Sequence, residues 1–156
     1  MLKNEINMLR SLNHDSIIKL HEVQETERTV YLVMDYIPSQ SLQEILNQPN
    51  WKSFFSPTQF IRLVHSILDA LVYLASKGVV HRNLSPESIL IEKAGKIKII
   101  DFRLATTFDA IKPNIKLYGP MGYIAPEEFD PNASQVSSLC DDRCDVFSFG
   151  CILYYL

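Results

Sequence analysis

The sequence predicts an α+β fold, and three patterns carry that reading. Apolar residues recur at helical spacing over residues 1–12, at Leu2, Ile6, Leu9 and Leu12. Two pairs of short apolar runs, each pair split by a polar turn, read as β-hairpins. Between them stands Ser56-Pro57-Thr58-Gln59, a helix start with a capping hydroxyl, a first-turn proline and a glutamine three residues after the cap.

Taken in order, Asn13 and His14 end the first helical pattern. Residues 17–23 and 29–35 form the first hairpin around the charged turn 24–28. Pro38 and Ser39 open a loop, and residues 42–46 read as a short helix. After the Ser56 cap, Phe60, Val64, Ile67, Leu68, Leu71 and Leu74 line one face of a long helix that Gly78 is placed to end. Residues 81–88 are a polar loop. Residues 89–91 and 97–100 flank Ala94-Gly95 as the second hairpin. Residues 101–127 show no period and read as an extended loop, of the length that is usually functional inside a compact domain. Residues 126–129 suggest a helical turn, and a helix starts from Asp141. Nothing divides the chain into two domains, so 1–156 is read as one domain or part of one.

Composition narrows the function classes. Hydrophobic residues make up 47% and the net charge is -3 with the signs interspersed, as in an ordinary globular chain without a nucleic-acid-binding stripe. Of the three cysteines, Cys140, Cys144 and Cys151, no two form a Cys-x-x-Cys pair, which suits ordinary thiols in a reducing, cytoplasmic setting. The apolar run 146–156 falls short of the ~20 residues that a membrane-spanning helix needs.

Six motifs then follow one another in a fixed order: Glu5-Ile6 with Leu9, Leu12 and His14; Tyr31-Leu32-Val33-Met34-Asp35-Tyr36; His81-Arg82-Asn83-Leu84-Ser85-Pro86-Glu87-Ser88-Ile89-Leu90; Asp101-Phe102-Arg103; Ala125-Pro126-Glu127; and Asp145-Val146-Phe147-Ser148-Phe149-Gly150. Each alone is weak. In this order and spacing they resemble the eukaryotic-type protein kinase domain, Ser/Thr-like, from the family's αC helix to its αF helix. The resemblance implies a partial kinase-like fold: αC and a hairpin of the N-lobe with the hinge (1–37), then the first half of the mainly helical C-lobe (38–156). In its hinge and αC texture the chain looks nearest to the calcium/calmodulin-dependent and related Ser/Thr groups.

The same resemblance assigns site positions. Asn83 stands at the position of the catalytic Asp, which orients the substrate hydroxyl and accepts its proton. An amide is neutral and cannot serve as that base, and loss of such help lowers rates on the order of 10²–10⁴-fold. Ser85 replaces the loop Lys, and Ser88 replaces the Asn that holds a second Mg²⁺. Pro120 stands where such kinases usually carry a Thr that contacts the catalytic Asp and Lys. Asp101 retains the metal-binding carboxylate. Arg103 replaces a Gly and is either an awkward backbone residue or a guanidinium standing in for metal charge. ATP and Mg²⁺ are implied by the family, with Met34, Asp35, Tyr36, Ile37 and Leu90 around adenine and Glu5 as the αC acid. The departures around the reaction centre argue against strong binding of either. Leu9, Leu20, His81 and Phe102 match the family's regulatory spine and Asp145 its αF anchor, with Glu127 closing the Ala-Pro-Glu motif. Arg82 is a candidate partner for a phosphorylated loop, whose hydroxyls are Thr106, Thr107 and Tyr118.

The leading expectation is therefore a pseudokinase acting as a binding or regulatory module on other proteins, an active kinase or a substrate protein among them. An active Ser/Thr kinase completed by parts outside this chain is the second, and a gene fragment without function the third. Apolar surface is expected where the missing elements would pack.

Overall fold

A computed structural model describes residues 2–108, 119–129 and 141–156. Helix α1 spans Leu2–Ser11 and buries Ile6 and Leu9. Strands β1 (Leu20–Glu25) and β2 (Val30–Met34) pair antiparallel, with a bulge between Leu20 and Glu22. The first run starts later than its apolar character suggests. Ile17 leaves the hairpin for a parallel bridge to Ile99, and both are buried.

Strand β3 (Ser39–Ser41) falls where a loop is expected and pairs with β5 (Ile89–Glu92), which pairs with β6 (Ile97–Ile99), all antiparallel. Helix α2 (Leu42–Leu46) starts at once because the Ser41 hydroxyl accepts from the Glu44 N–H while the Glu44 carboxylate accepts from the Ser41 N–H. Ser56 and Gln59 make the same reciprocal cap on α3 (Pro57–Ser76). Gly78 beyond it has φ +65°, the left-handed geometry that suits glycine after a helix.

The buried face of α3 is Leu63, Ile67, Ala70, Leu71 and Leu74, rotated from the expected stripe. Leu68 is 42% exposed and belongs to the outer face with Ile61 and Val72, while Val64 packs against the core and Phe60 is half-buried. The rotation follows from what α3 meets: β6 and β4 (Val79–Val80). Strand β4 pairs with β7 (Thr106–Thr107), so the span expected as one extended loop holds a strand at its start. Helix α4 covers Arg143–Tyr155. Together Leu9, Ile17, Ile45, Ile67, Leu74, Leu84, Ile99, Phe102 and Ile152 belong to one apolar core.

Besides the outer face of α3, large apolar side chains are exposed around the end of β2, at Tyr31, Val33, Met34 and Tyr36, and on α4, at Val146, Phe147, Tyr154 and Tyr155. Among the described residues no helix is long and apolar enough to cross a membrane.

The rotated face of α3 is open to a direct check. Ile67→Ala removes a fully buried side chain and is expected to lower the unfolding free energy by about 2–5 kcal/mol. Leu68→Ala should change it by less than about 1 kcal/mol; both are read from urea melts.

Candidate functional site

Asp145, at the start of α4, is buried and reaches back across the chain. Its carboxylate oxygens accept the backbone N–H groups of His81 and Arg82 at 2.7 and 2.9 Å. This clamps the loop between β4 and β5 into a bend in which Arg82 takes φ +62°, a left-handed angle that costs a non-glycine residue roughly 1–2 kcal/mol. Burial pushes the Asp145 carboxyl upward, and His81, the two N–H bonds and Arg82 pull it back.

His81 is fully buried and its ring bonds settle its tautomer. Nε2 lies 3.0 Å from the Ile100 carbonyl, which can only accept, so Nε2 carries the proton. Nδ1 accepts the Asn83 N–H at 3.2 Å. The imidazole is thus neutral, as burial also dictates by pushing its pKa down. It packs edge-on against Phe102 with ring centroids 4.6 Å apart, and α1 lies over the turn that carries Phe102. Of the expected spine, Leu9, His81 and Phe102 are buried, and Leu20 packs against the core from β1.

The loop delivers Asn83 to Asp101. The amide Nδ2 donates to Asp101 Oδ2 at 2.9 Å. Asp101 has φ +67°, a left-handed angle that Asp tolerates better than most residues. Arg103 does not need the glycine-like angle that its position suggested. It sits in a 3₁₀ turn, Phe102–Leu104, and folds back so that Nε donates to Asp101 Oδ1 and Nη2 to Oδ2, each at 2.6 Å. Chiefly because of that pairing, the Asp101 carboxyl is held below its usual range. Glu5 is half-buried beside the same group. Burial and the Asp101 charge push its carboxyl up, while Arg103 and the Phe102 N–H pull it down. Glu5, Asn83, Asp101 and Arg103 therefore converge.

Ser85 and Ser88 are buried in the turn Pro86–Ser88. The Ser88 hydroxyl accepts the Ser85 N–H and donates to the Ser85 carbonyl, both at 3.0 Å. Gly119 lies against the loop: a Cβ there would stand 3.2 Å from the Arg82 carbonyl oxygen, and Pro120 follows it with no hydroxyl to offer. The Mg²⁺ that the family implies does not fit this arrangement. Both Asp101 oxygens hold Arg103, the Ser88 hydroxyl is bonded within its own turn, and the described residues contain no group of three metal-ligating side chains.

Other expected residues fall as follows. Asp35 ends β2 and turns its carboxylate to His21 at 2.7 Å and Lys98 at 3.2 Å, while its N–H donates to the Lys19 carbonyl. Against the push of burial, these partners hold its carboxyl low. This brace to β6 was not foreseen; its sequence signal was a Lys at an alternating strand position, Ile97-Lys98-Ile99. Tyr36 is 91% exposed and Met34 is also exposed, while Ile37 packs on the core and Leu90 lies half-buried between Ser41 and Lys98 on the neighbouring strands.

Arg82, the candidate partner for a phosphorylated loop, already meets an acid. Its Nη2 meets Glu128 at 3.3 Å with both side chains over nine-tenths buried, a pairing the sequence reading missed. Its Nε is buried with no partner among the described residues. Glu127, the Ala-Pro-Glu acid, lies 3.7 Å from the Cys144 thiol. Thr106 and Thr107 are strand residues in β7, and Tyr118 and Cys140 lie outside the described residues.

The order of elements, the buried anchor and the loop it clamps define a kinase-like fold. The protein kinase domain family matches residues 1–156, and the chain belongs to that family. It is 31% identical to the serine/threonine-protein kinase cds1 of Schizosaccharomyces pombe over all of this chain and 34% of the relative. It is 36% identical to calcium-dependent protein kinase 4 of Plasmodium falciparum over 99% of this chain and 28% of the relative. Against sperm motility kinase 3A of Mus musculus it is 33% identical, over 98% and 29%. The chain thus spans about a third or less of the length of these curated relatives.

Two outcomes test this geometry. Asp145→Asn keeps the shape but loses one acceptor and the charge, and should destabilise the fold by about 1.5–3 kcal/mol, the scale of a hydrogen bond to a charged group. Because the folded-state pKa of Asp101 lies below its unfolded value of 3.8, the pairing with Arg103 stabilises the protein above that value and is lost as pH falls through the folded pKa. The stability difference between wild type and Arg103→Gln, measured by urea titration, should therefore shrink as pH falls from neutral into that acid range. Protonation of Glu5 acts in the same direction.

Proposed function

We propose that this protein kinase family domain is catalytically impaired and serves as a cytoplasmic binding or regulatory module for other proteins, in the manner of a pseudokinase. One observation carries the reading. The side chain at the position of the catalytic base is a neutral amide that donates its N–H to Asp101, 2.9 Å away. It carries no negative charge to orient a substrate hydroxyl and has no basicity near neutral pH with which to take a proton. The loop residues supply no cation for a transferring phosphate, since Ser85 is neutral and buried and Arg82 is engaged by Glu128.

We read residues 1–37 as the N-lobe part with the hinge and 38–156 as the C-lobe part. ATP would enter through the hinge end of β2. The chain's own contribution there is backbone and Leu90, because the Asp35 side chain is committed to His21 and Lys98.

A second reading, an active Ser/Thr kinase completed by other parts of a longer protein, draws on the buried spine and on the relatives, which are named as kinases. Phosphoryl transfer by the full-length protein separates the two. Typical kinases turn over at about 1–100 per second. Wild type is expected at least ~10²-fold below that range, the smaller of the losses set by a missing base. Asn83→Asp with Ser85→Lys should raise the rate. Ordinary kinase turnover by the wild type would sink the pseudokinase reading.

A further inference from the structure

We infer that Arg103 is a built-in cation that takes the place of a divalent metal at Asp101, so that the site excludes metal as long as this guanidinium is present. The inference deepens the reading of an impaired kinase domain and rests on it for the view that Asp101 is a former metal position.

The plain alternative is a surface ion pair. Arg103 is 60% exposed in its side chain, and an exposed pair taken alone contributes little. Three features set this one apart. First, the pairing is bidentate and oxygen by oxygen: Nε takes Oδ1 and Nη2 takes Oδ2, both at 2.6 Å. Second, the two residues are only two apart within a 3₁₀ turn, so a metal competes with a tethered cation of high effective concentration. Third, the surrounding groups face the wrong way for a metal. Asn83 presents its amide N–H to the carboxylate, not its oxygen, and the Ser88 hydroxyl is bonded into its own turn. A hard divalent ion needs several oxygen ligands, and among the described side chains at this site only the carboxylates of Asp101 and Glu5 could supply them.

The charge count agrees. The Asp101 charge pushes the neighbouring Glu5 carboxyl up, and Arg103 acts favourably on both acids. Without Arg103 the two acids would keep the Asn83 and Phe102 N–H donors but lose this cation, the condition under which a pair of carboxylates recruits another one.

The test is Mn²⁺ binding to the full-length protein, followed by calorimetry and by the electron paramagnetic resonance of free Mn²⁺. Wild type is compared with Arg103→Gly, with Arg103→Gln and with Arg103→Gln plus Asp101→Asn. The Gln variant keeps side-chain bulk and carries the test if the Gly variant fails to fold. Removing the guanidinium should tighten Mn²⁺ binding by roughly tenfold or more, the scale on which groups around a metal site alter its affinity. The gain should vanish when Asp101 is also replaced. Wild type binding Mn²⁺ as tightly as the variants would overturn the inference. So would variants that bind no better than wild type, or a gain that survives loss of Asp101. Metal binding by a wild type that transfers no phosphate would refute this inference alone. Phosphate transfer by a wild type with no metal at Asp101 would refute the functional reading alone.

Discussion

The buried carboxylate of Asp145 is the constraint on which the loop geometry depends. It accepts two backbone N–H groups from residues more than sixty positions earlier in the chain, and so ties α4 to the loop between β4 and β5. A buried carboxylate persists only when its oxygens are satisfied, and these two bonds do that while holding Arg82 at an angle it would not adopt alone. His81 then has one place to go. Its ring bridges the Ile100 carbonyl and the Asn83 N–H and packs on Phe102, which links the loop to the Asp101–Leu104 turn and through it to α1.

On that scaffold the polar side chains around the loop bond to one another. Asn83 bonds Asp101, Arg103 bonds Asp101, Ser88 bonds Ser85 and Arg82 bonds Glu128. In each case the polar group finds a partner within the chain. Most of these polar groups are thereby satisfied within the described residues, with the buried Arg82 Nε as the exception. Asn83 shows how closely the substitutions fit one another. A carboxylate at that position would face Asp101 at hydrogen-bond distance with like charge, whereas the amide supplies a donor.

Parts of this were legible in the sequence for local reasons. The Ser56–Gln59 cap, the β1–β2 and β5–β6 hairpins and the glycine end of α3 depend on residues a few positions apart, and their patterns survive in one dimension. Strand β3 and the β4–β7 pair were not legible. They are two or three residues long, and their partners lie distant in sequence, so neither alternation nor turn chemistry marks them. The face of α3 was misjudged at Leu68 because several apolar rows run along that helix. Which row turns inward depends on where β4 and β6 meet it.

The sequence by itself determined the family, the main helices and hairpins, and the residue types along the loops: a neutral amide at 83, hydroxyls at 85 and 88, an arginine at 103. These are facts of residue type and spacing, and they need no coordinates. Only the tertiary structure decided which partners these residues take. That Arg103 closes on Asp101 rather than straining the backbone depends on φ at Asp101 and on a 3₁₀ turn. That Arg82 is already paired depends on bringing Glu128 to it across 46 residues. Charge partners are chosen by distance in space, and for these groups that distance exists only once the Asp145 clamp and the core have formed.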